Sequence, residues 1–250
     1  MPKLGKIRLD QALVNRGLVA SRTRAQALIM AGNVFSGDNR LTKAGMNISV
    51  DTEISIRGKV HPWVSRGGLK LSHGLFHFGI KPLGATTLDI GASTGGFTDV
   101  LLNNGAKKVY AVDVGYGQLD WKLRLDERVI VLEKTNARYL NPNLIKDKLD
   151  IIVCDVSFIR LQTVLPAALS LASDSCFLVA LIKPQFEVGR GQVGKGGIVR
   201  EPFLHEAVCS QVKDWLSSLP NWTVLGVTES PIKGSQGNRE FLIGAEHILL

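Results

Sequence analysis

The chain is short of the residues and runs that mark several protein classes. Cysteine is scarce. Cys154, Cys176 and Cys209 are odd in number and nowhere spaced CxxC, which leaves neither a disulfide framework nor a zinc or dithiol pattern. Cys154 and Cys176 sit inside apolar runs, where a reduced, buried thiol is the ordinary state. Long hydrophobic runs are missing as well. The longest, residues 176–182, is too short to span a bilayer. The opening residues MPKLGKIRLDQAL lack the apolar stretch of a secretory signal, so the cytoplasm is the expected compartment. No segment repeats, and none is of low complexity. Acidic residues are sparse near the N-terminus: residues 1–60 carry ten Lys and Arg against four Asp and Glu, while the remainder carries twenty against eighteen. A short basic segment on a nearly neutral body suits a polyanion partner, although a solubilising surface has the same balance. What is present is ordinary for a soluble protein with a real core: 250 residues, 45% apolar and 21% charged. That length fits one large domain, or a small one beside a medium one.

Residues 87–113, TLDIGASTGGFTDVLLNNGAKKVYAVD, organise the rest. An apolar run ends at Gly91, and the loop Gly91, Ala92, Ser93, Thr94, Gly95, Gly96 and Phe97 leads into a helix-period segment that closes at Gly105. A second apolar run ends at Asp113, followed by Val114. The pattern is strand, glycine turn, helix, strand, with an acid placed to bond a ribose diol in a doubly wound sheet. The glycines read GxxxGG rather than GxGxxG. That spacing favours a single nucleoside such as S-adenosylmethionine over a dinucleotide.

Residues 8–60 read as a compact unit. Leu9, Ala12 and Leu13 form one helical stripe, Ala25, Leu28 and Ile29 a second, and Ser21 is a suitable N-cap for the second helix. Short strand-like pieces follow at residues 33–36, 48–50 and 53–57. Arg22 and Arg24 open the second helix, where backbone amides also favour phosphate; Arg8 and Lys43 extend the same basic set. The equally simple reading is two solvated amphipathic helices. Residues 58–65, with Gly58, Pro62 and an isolated Trp63, read as a linker, and a helix is expected over 67–78. His73 and His77 within it are four apart, but no third ligand lies at metal-site spacing, so a packed or solvated pair is expected and no metal.

Further strands are expected at 129–132, 149–154, 176–182, 223–228 and 241–245, with helices near 118–125, 160–172 and 201–218. This alternation means an α/β protein: a Rossmann-like parallel sheet with helices on both faces. Ligands in such sheets bind beyond the carboxyl ends of the strands. Asp155 and Lys183 each directly follow a strand and so share that edge with Gly91 and Asp113. Pro184 restricts Lys183 to an extended conformation. Residues 186–201, rich in glycine, read as a loop over the same edge.

Two resemblances extend this reading. RLDQALVNRGLVASRTRAQALIMAGNVFSG resembles the small RNA-binding domain first described in ribosomal small-subunit protein four, which implies structured RNA as partner. Residues 66–245 resemble the FtsJ-like RNA ribose 2′-O-methyltransferases through RGGLKL, CDVSF, LIKPQFE and GNREFLI. That resemblance implies a class I methyltransferase fold, seven strands with the last antiparallel, and a catalytic set of Lys70, Asp155, Lys183 and Glu240. It also implies that the loop 91–97, Asp113, Val114, Asp155 and Asn136 (in EKTNAR) meet the cofactor. Arg66, opening RGGLKL, joins Arg8, Arg22, Arg24 and Lys43 as expected RNA contacts. Asn136 also reads as a plain turn residue.

The two halves together, with WVSRGG between them, look like the TlyA family, often labelled hemolysin A. The domains implied are RNA-binding over 1–59, a linker at 60–65 and methyltransferase over 66–250. The activity implied is methylation of cytidine 2′-hydroxyls in 16S or 23S rRNA, or both, by a monomer acting on ribosomal RNA or subunits without stable membrane association. In that chemistry Lys183 is the expected base and Lys70 the expected stabiliser of the oxyanion, with exchange of the two roles open. Two other readings stay in view. A membrane-active hemolysin would need a long apolar span or a basic amphipathic helix, and the sequence has neither. A non-catalytic RNA-binding or ribosome-assembly protein would tolerate a broken catalytic set, and all four positions are intact.

Overall fold

The computed structural model describes residues 5–249 apart from 20, 31, 58–60 and 235. Two compact units result, Met1–Pro62 and Trp63–Leu250. The expected boundary at residue 59 and the first linker residue, 60, lie outside the described residues.

In the smaller unit, strand β1 (Lys6–Arg8) runs into helix α1 (Leu9–Asn15), and α2 (Arg22–Met30) follows. The Arg24 amide donates to Ser21 Oγ at 3.2 Å, the side-chain cap that starts such a helix. Short strands β2 (Val34–Ser36), β3 (Asn39–Arg40), β4 (Asn47–Ser49) and β5 (Ser55–Ile56) complete the unit. β1 pairs with β4, and β2 with β3 and β5, all antiparallel. Leu9, Ala12 and Leu13 of α1 meet Ala25, Leu28 and Ile29 of α2 in one buried core with Val34 and Ile48.

In the larger unit, Trp63–Ser65 lead into helix α3 (Gly67–Phe78), with Trp63 and Val64 packed against its core. Next come β6 (Thr86–Ile90), α4 (Gly96–Asn103), β7 (Lys108–Val112), α5 (Trp121–Arg124), β8 (Val129–Leu132) and β9 (Leu149–Cys154). After them lie α6 (Leu161–Val164), α7 (Pro166–Leu169), β10 (Ala172–Ile182), α8 (Pro184–Glu187), α9 (Pro202–Ser217), β11 (Trp222–Glu229) and β12 (Phe241–Ile248). Seven strands form one sheet in the order β11-β12-β10-β9-β6-β7-β8. Only β12 runs against its neighbours, antiparallel to both β10 and β11.

Alternation along the strands builds a core on each face. Leu88, Ile90, Tyr110, Val112, Ile152 and Cys154 point to the side covered by α6, α7 and α9. Val109, Ala111, Ile151 and Val153 point to the side covered by α3 and α4. The helix expected over 160–172 is broken between α6 and α7, because Pro166 has no N–H to continue the first. β10 starts four residues earlier than its apolar run. Ser173, Asp174 and Ser175 carry it polar to the sheet rim, with a register shift against β9 before Phe177. His73 and His77 stack at 5.9 Å, and among the described residues no His, Cys, Asp and Glu group has the makings of a metal site. No described helix is long and apolar enough to cross a membrane.

Candidate active site

Register brings the charged residues to one edge. Ile90 pairs with Cys154, Cys154 with Ala180, and Ile182 with Phe241. The residues that follow or precede them, Gly91, Asp155, Lys183 and Glu240, therefore leave the sheet together. Lys70 reaches them from the first turns of α3. Lys70 Nζ lies 2.7 Å from Glu240 Oε2 and 3.5 Å from Asp155 Oδ2, and Lys183 Nζ lies 2.5 Å from Asp155 Oδ1. Asp155 thus bridges the two ammonium groups. Lys183 also donates to Ser157 Oγ at 3.1 Å. Both lysines and Glu240 are buried, which withdraws their charges from solvent screening.

This cluster floors a cavity of about 880 Å³, a volume typical of ligand sites. Its walls come from Ser65–Gly67, the glycine loop including Ala92, Ser93, Thr94 and Phe97, the pair Phe158 and Phe186, and residues 193–197 and 236–238. Gly91 has a positive φ, and a Cβ there would meet the Asp155 carbonyl at 2.5 Å, so only glycine lets the two strand ends approach. Phe158 also holds a positive φ of 67° and is almost fully exposed, its ring 4.8 Å from that of Phe186. A bulky residue kept in that backbone region is strained, and such strain gathers at binding sites. The glycine-rich loop is tied down by Asn238, whose Oδ1 accepts from the Val199 amide and whose Nδ2 donates to the Gly197 carbonyl.

The rest of the expected cofactor set stands outside the cavity lining. Asp113 accepts from the amides of Ser93 (2.8 Å) and Gly115 (2.7 Å), so its carboxylate shapes the loop end. Val114 is exposed, and Asn136 Oδ1 caps the 3-10 turn Ala137–Tyr139 by accepting from the Arg138 amide. Asp89, buried under the loop, accepts from the Thr98 amide and hydroxyl. Burial, reinforced by the charges of Asp155 and Asp113 and opposed by the Thr98 bonds, raises its carboxyl to about 7. Of the expected RNA contacts, Arg66 is exposed at the cavity wall and Lys43 is exposed in the smaller unit. Arg24 is turned inward, donating to the His61 carbonyl. Arg8 and Arg22 both bind Asp10. Ser157, Phe158, Gln185 and Asn238 carried no signal beyond their neighbourhood to the motifs.

A nucleoside-bearing methyl donor fits the residues present. The cavity wall holds a buried acceptor without a hydrogen-bond partner, Gln185 Oε1, beside the ion-paired carboxylates of Asp155 and Glu240. An unsatisfied buried acceptor and charged groups beside a glycine loop are the complement of a polar ligand.

The fold and this edge define a class I methyltransferase, a fold that implies S-adenosylmethionine as donor. A family model described as FtsJ-like methyltransferase matches residues 63–247, and one described as S4 domain matches residues 7–54. The chain belongs to the FtsJ-like methyltransferases, in the TlyA (hemolysin A) family. It is 47% identical over 95% of its length to a Mycobacterium tuberculosis protein named 16S/23S rRNA (cytidine-2′-O)-methyltransferase TlyA, covering 89% of that relative. It is 42% identical over 94% of its length to Hemolysin A of Brachyspira hyodysenteriae, covering 98% of it. A solved structure from Streptococcus thermophilus that carries a hemolysin name superposes with a TM-score of 0.76, at 44% identity, over 98% of this chain and 90% of that one.

Proposed function

We propose that this protein transfers a methyl group from S-adenosylmethionine to the ribose 2′-hydroxyl of cytidine in 16S or 23S ribosomal RNA, or both, acting as a cytoplasmic monomer without a metal. The observation that carries the reading is the buried chain Glu240–Lys70–Asp155–Lys183 on the floor of a glycine-walled cavity. Residues 1–59 supply RNA binding, residues 60–65 the link, and residues 66–250 the chemistry.

When bound, S-adenosylmethionine supplies an electrophilic methyl on a sulfonium. The backbone of Gly91–Phe97 would hold its amino-acid end and ribose, with Asp113 and Val114 at the ribose hydroxyls, Asn136 toward the adenine and Asp155 facing the reacting end. In its neutral amine form Lys183 takes the proton of the 2′-hydroxyl and becomes the ammonium that Asp155 pairs, with Asp155 and Ser157 holding the nitrogen in place. Lys70, anchored by Glu240, stabilises the oxyanion as it forms. Alignment of hydroxyl, methyl and sulfur by the rigid floor contributes much of the rate. Phe158, exposed at the rim, offers a face on which an unstacked base can lie. Arg8, Arg22, Arg24, Lys43 and Arg66 would meet the RNA backbone.

The test is transfer of labelled methyl from S-adenosylmethionine to purified 30S and 50S subunits, with the modified nucleotide mapped by mass spectrometry. Label on a cytidine 2′-oxygen is expected. No label on subunits, 70S particles or free rRNA would sink the reading and favour a non-catalytic RNA-binding protein.

A further inference from the structure

The smaller unit contains a fully buried carboxylate that methyl transfer does not use. Asp10 is 0% exposed in a segment of net positive charge. Its Oδ1 accepts from Arg8 Nε (3.0 Å) and the Gln11 amide (2.9 Å). Its Oδ2 accepts from Arg8 Nη2 (3.0 Å), Arg22 Nη2 (3.0 Å) and Gln26 Nε2 (3.1 Å). The Asp10 amide donates to the Ala44 carbonyl, which seats the segment carrying Lys43 beside it.

The two cations are not buried with their partner. The Arg8 and Arg22 side chains are 49% and 51% exposed. Arg8 uses Nε and Nη2 on Asp10, which leaves Nη1; Arg22 uses Nη2 alone, which leaves Nε and Nη1. One carboxylate therefore holds two half-exposed guanidinium groups, the Arg8 plane by two bonds and Arg22 by one, with donors of each left over. The Arg8 bond is also the largest influence holding the Asp10 carboxyl well below the usual carboxylate range, so the arrangement persists across physiological pH.

We propose that Asp10 is a positioning residue for RNA binding: it presets Arg8 and Arg22 as a two-pronged fork for backbone phosphate. The proposal rests on the rRNA reading above and deepens it. Guanidinium donors match phosphate oxygens in paired geometry, and ordering a long side chain before the ligand arrives removes part of the entropy cost of binding. The consequence runs against simple electrostatics. Removing a negative charge from a polyanion-binding surface ordinarily tightens binding; here it releases both arginines and weakens it.

The experiment measures binding of the full-length protein to 30S and 50S subunits by filter retention, across roughly 50 to 200 mM KCl. Asp10→Asn is expected to lower affinity about tenfold, the cost of ordering two arginines anew, with S-adenosylmethionine affinity by calorimetry unchanged. In an Arg8→Ala/Arg22→Ala background Asp10→Asn is expected to add no further loss, which a purely structural role would not reproduce. A folded Asp10→Asn protein that binds as tightly as wild type, or more tightly, overturns the proposal, as does an equal loss in the arginine-free background. Should circular dichroism find Asp10→Asn unfolded, Arg8→Lys and Arg22→Lys decide: they keep the charge and lose the planar fork. A loss of about threefold or more in each supports the fork, and full affinity in both overturns it. Wild-type protein that binds neither subunit, nor 70S particles, nor free rRNA removes the rRNA reading and this proposal together, whereas binding that the variants leave untouched removes this proposal alone.

Discussion

Two carboxylates in this molecule each hold two cations, and the difference between them separates two kinds of chemistry. Asp155 bridges Lys70 and Lys183, whose side chains are 8% and 10% exposed. Asp10 bridges Arg8 and Arg22, whose side chains are half exposed. Lysine is a point charge that gives up a proton in the right setting, while arginine stays charged and offers a planar set of donors. Burial of the lysines at a cavity floor suits proton transfer; exposure of the arginines at a surface suits a phosphate backbone. On the proposed reading the same geometric device, one acid between two bases, serves turnover in one unit and recognition in the other.

The sharpest way to break that contrast is Lys183→Arg. It keeps the positive charge beside Asp155 and removes the proton acceptor, so methyl transfer is expected to fall about 10³-fold in single-turnover assays, with RNA binding retained. Near-normal transfer by this variant would make Lys183 an electrostatic group and dissolve the distinction from Arg22. Asp155→Asn comes next. It removes the bridge between the two lysines, leaving Lys70 on Glu240 and Lys183 on Ser157, and is expected to cost on the order of 10²-fold in transfer while subunit affinity is kept, the reverse of the pattern expected for Asp10→Asn. Loss of subunit affinity from the Asp155 variant would merge the two clusters into one function. A smaller change is expected from Ser157→Ala, which takes away the second contact of the Lys183 amine. About a tenfold fall in kcat with KM for S-adenosylmethionine unchanged is expected, with Ser157→Thr restoring it; an unaffected Ala variant would leave Asp155 as the sole guide of that amine.

The smallest effect concerns stability rather than turnover. Asp89 has an ordinary value of 3.8 and is raised to about 7 in the folded state, chiefly by burial. Between those values the unfolded chain has lost the proton that the folded chain keeps, so this group makes stability fall as pH rises from about 4 to 7 and adds nothing further above that. Asp89→Asn is expected to flatten that part of a melting-temperature profile. An unchanged slope would mean that Asp89 is already ionised in the fold, and that a further negative charge belongs to the Asp155 environment.

How much of this was legible in the sequence follows from how local each signal is. Gly91, Asp113, Asp155 and Lys183 each end an apolar run, so strand periodicity alone places them on one edge. Glu240 needed the antiparallel sense of β12, which came through family resemblance. Ser157 and Asn238 were invisible because their roles depend on partners tens of residues away, Lys183 for Ser157 and Val199 for Asn238. Asp113 was legible as an acid at a strand end, but its engagement with the Ser93 and Gly115 amides follows from the fold of the loop. Asp10 lay in plain view between Leu9 and Gln11 and carried no periodic or motif signal for a hub. Its five donors come from four residues, and three of those donors belong to Arg22, Gln26 and the neighbouring Gln11 amide. The start of β10 was hidden for a different reason: polar residues at a sheet rim break the apolar run that marks a strand.

The place of β12 has a consequence for the birth of the protein. It follows every other described strand in the sequence, yet it lies inside the sheet, between β10 and β11. A nascent chain that has not yet delivered residues 240–248 holds Lys70, Asp155 and Lys183 but lacks Glu240, and β11 has no neighbour to dock on. Completion of the sheet and completion of the proposed catalytic set are therefore one event, reached only once residues 240–248 have been made.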